Sequence, residues 1–143
     1  MRTDERGQAS LMIIGFAVVI VSLIVVVVDA SVAFLERQGL DNLADGAALY
    51  GADQAAEGTD VYTGGIGHGD LDLTAARARA GVLEYLRKTG AYADHPGLSA
   101  AVSVHGDAVV VRLSARVDLP FSVPGGPESA RVASTGSAVV RPD

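Results

Sequence analysis

Histidine and acidic side chains are the groups in this sequence best suited to chemistry, and their spacing gives them little to do. His68, Asp70 and Asp72 fall in the stretch Gly58–Asp72, where Gly58, Gly64, Gly65, Gly67 and Gly69 predict an irregular loop. One imidazole and two carboxylates could hold a divalent ion. Their spacing matches no recognised metal loop, and a solvated loop accounts for them. His95 falls in a loop, and His105 precedes Gly106-Asp107, where turn formation is sufficient explanation. With no Cys in the chain, neither a thiolate metal site nor a disulfide is available. No G-x-S-x-G, P-loop, H-E-x-x-H or dinucleotide fingerprint occurs. The expectation is a protein that is not an enzyme, with no catalytic residues, no metal and no cofactor. Net charge is −6, aromatic residues are 5% and Trp is absent, so neither a basic patch nor a stacking platform favours nucleic acid.

The element that positions everything else is the stretch 7–28, which carries no charge and is dense in Ile, Val and Leu. As a helix it would rise about 33 Å, matching a bilayer core of about 30 Å. A soluble helix of that length needs a polar face, and only Gln8, Ser10 and Ser22 are offered. In lipid a lone segment must satisfy its own backbone, which makes it helical. The spacing predicts a transmembrane helix over 7–28. Asp29 follows at once, an ionisable group at the membrane edge where a carboxylate costs little, and a candidate partner site.

The helical pattern continues. Val32, Leu35, Gly39, Leu40, Leu43, Ala47, Tyr50 and Gly51 recur at three- and four-residue steps, and the first Pro is Pro96. One helix is predicted from about Gln8 to Ala56, its second half (29–57) projecting from the membrane as an amphipathic stalk. Gly39, Gly46 and Gly51, with Ala44, Ala47, Ala48, Ala52 and Ala55, would let another backbone approach closely. For 43–56 that backbone is expected to be the protein's own sheet, and for the lipid half a neighbouring helix, with Gly15 at the contact. Asp45 lies off the stripe.

Beyond the loop, Asp72 or Thr74 caps a second helix running to Lys88, stopped by Gly90. The period then changes from helical to alternating. Leu98, Ala100, Val102 and Val104, then Val109, Val111, Leu113, Ala115 and Val117, face one side of a hairpin turned at His105-Gly106-Asp107. Pro120 ends it, Phe121–Pro127 forms a loop with an apolar tip, and a third strand spans Ser129–Val140. The expected fold is α+β. A long N-terminal transmembrane helix continues into a small domain (58–143), with a second helix and a three-stranded antiparallel sheet covered on one face. Arg2, Arg6 and the amino group precede the anchor, so residues 1–6 are expected in the cytoplasm and the domain outside. A secretory signal cleaved after Ser31-Val32-Ala33 is the competing reading.

Arg6-Gly7-Gln8-Ala9-Ser10-Leu11, the Ile/Val anchor, Val27-Val28-Asp29, and Leu35-Glu36-Arg37-Gln38-Gly39-Leu40-Asp41-Asn42-Leu43-Ala44-Asp45-Gly46-Ala47-Ala48-Leu49-Tyr50-Gly51-Ala52 together resemble the N-terminal region of TadE/TadG-like Flp pilus-assembly proteins. The resemblance covers roughly residues 6–52. It implies a pilin-like architecture and a minor pilin, pseudopilin or assembly factor of a Tad (type IVc) pilus or related secretion machine, anchored in a bacterial cell membrane. Its implied partners are membrane lipid, other pilins or Tad inner-membrane components, and further copies of itself. It also implies prepilin-type processing between Gly7 and Gln8; Met12 stands where processed relatives carry Glu. The alternative is a single-pass membrane protein whose outer domain binds a ligand or signalling partner, with loops 58–72 and 121–127 lining the site.

Overall fold

A computed structural model of the chain describes residues 5–57, 68–121 and 126–140, with side chains over 8–57, 73–121 and 126–140. The first helix, α1, is one unbroken run over Glu5–Glu57, 53 residues long, and rises about 80 Å. No proline interrupts its ladder of backbone hydrogen bonds, and residues 8–24 are exposed throughout. The helix is long and apolar enough to cross a membrane. Burial becomes regular only at Leu40 and then recurs at Ala44, Ala47, Ala48, Gly51, Ala52 and Ala55, the spacing of one helical face.

The second helix, α2, spans His68–Lys88. It begins earlier than its residues led us to expect, because 68–72 are helical rather than loop. Gly69 costs about 1 kcal/mol there relative to Ala. Acidic residue types, of which the sequence has two at 70 and 72, suit the first turns of a helix. The rest of the expected loop, 58–67, lies outside the described residues, as do the side chains of His68, Asp70 and Asp72. Ala78, Val82 and Leu86 are buried against α1, one helical face again. Gly90 ends the helix with φ +73°, in the left-handed region that glycine enters without penalty. Its carbonyl accepts the N–H of Ala93 at 2.8 Å and starts a one-turn helix, α3, over Ala91–Asp94. Nothing in the residue pattern announces α3, which is too short for a period to register.

Three strands form an antiparallel meander in sequence order: β1 (Ser99–His105), β2 (Ala108–Asp118) and β3 (Ser129–Val139). The β1–β2 turn is a two-residue connection in which His105 pairs with Ala108, so His105 belongs to the strand. Gly106 supplies the positive φ (+62°) that such a turn requires. Val109, Val111, Leu113, Ala115 and Val117 of the central strand are buried on the helix side. Ala101, Ser103, Arg112, Arg116, Arg131 and Thr135 point to the open side. The result is α+β, a sheet covered on one face by α2 and the upper half of α1. Residues 122–125 of the expected apolar loop lie outside the described residues.

Candidate assembly interface

Two surfaces of α1 offer themselves to other backbones, and the fold treats them oppositely. The upper one is consumed within the chain. Ala44, Ala47 and Ala48 are fully buried between the sheet and α2. Gly136 of β3 lies flat against the Ala44 carbonyl and the Asp45 N–H, where a Cβ would collide with backbone. Gly51 meets Gly81 of α2. A Cβ on Gly51 would stand 2.7 Å from Val82 Cγ2 and 2.9 Å from the Ala78 carbonyl oxygen, and one on Gly81 would stand 3.3 Å from Gly51 Cα. Tyr85 fills the space over Gly46 and stacks at a tilt on Tyr50, ring centroids 5.7 Å apart. Small residues therefore let two helices and a strand approach to backbone distance.

Three acidic side chains of α1 extend this seam, and none of these ties was visible in the sequence. Asp41 Oδ1 accepts the hydroxyl of Ser134, a buried residue of β3. Glu36 Oε1 accepts the ring Nδ1–H of His95, 2.5 Å away, on a pair only 30% and 16% exposed. Asp29 Oδ1 accepts the backbone N–H of Phe121 at 3.3 Å. The carboxylates of Asp41 and Glu36 satisfy part-buried donors that would be costly to leave unpaired, while the Asp29 contact is exposed. Together they hold the region after α3, the sheet and the β2–β3 connection to one helix.

The lower surface is left open. Gln8 is exposed, and Gly7 lies with it in the first turns of α1. A Cβ added at Gly15 would meet nothing within 4 Å, and neither would one at Gly39. Gly39 is therefore not on the buried stripe where its spacing places it. The stripe runs through Leu40 instead, one residue or about 100° round the helix. The Asp45 side chain is exposed, although its backbone lies against β3 at Gly136. Leu11, Met12, Ile13, Ile14, Phe16 and Val19 are all more than half exposed. A surface of this size is far beyond the scattered apolar residues normal in water.

Electrostatics add one local feature. Lys88 Nζ lies 2.7 Å from Glu84 and donates to Tyr50 Oη at 3.2 Å. Glu84 first, then Tyr50, raises the Lys88 pKa above its ordinary 10.5. On the open face of the sheet, Arg116 and Arg131 are paired across β2 and β3. They line a cleft of about 410 Å³ with Pro96, Gly97, Ser114 and Ala115. Among the described residues, no cluster of His, Asp and Glu is arranged to hold a metal ion.

No curated protein and no solved structure matches the chain. A family match does exist, and it falls on α1 alone, spanning both the open apolar half and the seam up to Ala55. Residues 7–55, nearly the whole length of this helix, are similar to the family described as putative Flp pilus-assembly TadE/G-like.

Proposed function

We propose that this chain is a membrane-anchored minor pilin, pseudopilin or assembly factor of a Tad-type (Flp) pilus or a related secretion system. The observation that carries the reading is α1 itself. Its family-matched stretch is half unburied and apolar, and half built into the outer domain. Burying residues 7–28 in lipid or among other pilin helices removes that apolar surface from water, and this drives anchoring and assembly. Residues 1–6 stay in the cytoplasm, 29–57 leave the membrane, and 58–143 complete the domain outside. Glycine at 15 allows close helix approach in the bilayer, and Asp29 marks where the helix leaves it. The role is structural, with no step of catalysis assigned to any residue.

The test is the intact mass and N-terminal sequence of the protein taken from its native membranes. A start at Gln8 makes it a processed filament subunit. A start at Met1 makes it a permanent anchor, an assembly factor that stays in the membrane. A start at Phe34 overturns both, because the apolar half would then be only a secretion signal. A second reading, a receptor-like outer domain, rests on the cleft beside Arg116 and Arg131, whose guanidinium groups would favour an anionic ligand.

A further inference from the structure

All three phenylalanines of the chain lie outside the core: Phe16 is 66% exposed, Phe34 63% and Phe121 47%. Phe16 belongs to the apolar run. The other two need a separate reason, since the core is filled by Leu, Val and Ala. Phe121 is more than 90 residues from the anchor in sequence, yet its backbone N–H is bound to Asp29. Asp29 is the first charged residue after the charge-free stretch 7–28. The hydrogen bond therefore fixes Phe121 at the level where the apolar surface of α1 ends. Phe34 follows Asp29 by five residues, which places it about 8 Å further along the helix and about 140° round it. The bilayer's interfacial layer is on the order of 5–8 Å deep on each side. Phe121 is thus tied to α1 at the inner boundary of that layer, and Phe34 stands near its outer boundary, on another side of the helix from Asp29.

We infer that Phe121 and Phe34 are a membrane seat: they insert into the interfacial layer of the bilayer around the exit point of α1 and hold the outer domain down on the lipid surface. The partner is lipid, because both rings are exposed and lie within about one interfacial depth of the level where the apolar surface of residues 11–27 ends. Asp29 is the positioning residue. Its carboxylate stays at the polar boundary, where ionisation costs little, and satisfies a backbone donor that would otherwise enter the interface unpaired. The inference rests on the membrane-anchor reading, and the experiment separates the two.

The chain has no Trp, so a single introduced indole reports on one place. Phe16→Trp and Phe121→Trp are made in the full-length protein and reconstituted into phosphatidylcholine vesicles. The lipid is brominated either near the headgroup or near the chain ends. Phe16→Trp should be quenched most by bromine near the chain ends. Phe121→Trp should show blue-shifted emission and be quenched most by bromine near the headgroup, and adding Asp29→Ala should weaken that quenching. If Phe16→Trp is quenched and Phe121→Trp responds to neither lipid, the seat is overturned while the anchor stands. If neither is quenched, the anchor reading falls and the seat with it. If Phe121→Trp is blue-shifted but unquenched, and the shift fades on dilution of protein in lipid, a second copy covers the ring and the seat is overturned.

Discussion

The two halves of α1 share one backbone and one hydrogen-bond ladder, yet they are written in different alphabets. Residues 11–27 carry Leu, Ile, Val, Met and Phe, and project them outward. Beyond Leu40, residues 44–55 carry Ala and Gly on the packed face, and bury almost all of it. The difference follows from what each half must meet. Fluid lipid conforms to bulky branched side chains, so bulk there only adds apolar area. A folded partner is rigid, and when it brings its own backbone to the contact the helix must give up side-chain volume. Small residues in the upper half mark closeness of approach, and large ones in the lower half fit a deformable surrounding such as lipid.

Glycine substitutions break that comparison most directly. Gly136→Ala should do the greatest damage, because the new methyl meets the main chain of α1 at Ala44 and Asp45, and main chain cannot rotate away. A loss of about 3 kcal/mol or more is expected, read as a fall in the denaturation midpoint of the outer domain in detergent. Gly51→Ala and Gly39→Ala sharpen the contrast within one helix. The first crowds Val82 and the Ala78 carbonyl and should cost about 1–3 kcal/mol, partly offset by better helix propensity. The second meets open space and should stabilise by about 1 kcal/mol. Opposite signs from the same substitution twelve residues apart would establish which face is packed. Equal signs would sink the seam described above.

The smallest effect concerns charge. Because Glu84 and Tyr50 raise the Lys88 pKa, their contribution to stability is fully present below 10.5, the ordinary value, and is lost as pH rises through the raised one. Glu84→Gln should therefore lower stability slightly at neutral pH, with the gap to the parent closing only at strongly alkaline pH. Both side chains are largely exposed, so solvent screening keeps the gap small. Denaturation curves of the two proteins at neutral and alkaline pH would show it, and a gap that persists when Lys88 is neutral would point to a different origin.

Legibility in the sequence followed the range of the interaction. A charge-free run and a change of period from helical to alternating are local signals, and they announced α1, the hairpin and the third strand. The start of α2 was hidden because Gly69 reads as a breaker, while acidic residue types near a helix start are weak signals. Gly39 was misplaced because three- and four-residue steps can be threaded along more than one stripe, and only packing selects the one through Leu40. The pairs Asp29–Phe121, Glu36–His95 and Asp41–Ser134 join residues far apart in the chain. No single sequence announces which of several surface carboxylates will be met by a distant donor. The glycines at 51 and 136 were visible as small residues, but their partners were not.

The continuity of α1 has a mechanical consequence. A helix without proline, if one end is held in a membrane as proposed and the other is built into a domain, would act as a lever arm. A tilt of about 20°, ordinary for a spanning helix, sweeps the far end of a rod of about 80 Å sideways by roughly 27 Å. Small differences in bilayer thickness, or in the lean of a neighbouring helix, would thereby be magnified into large excursions of the outer domain, and a seat at Phe121 and Phe34 would be what resists them. The reach of this protein is set at the foot of the lever.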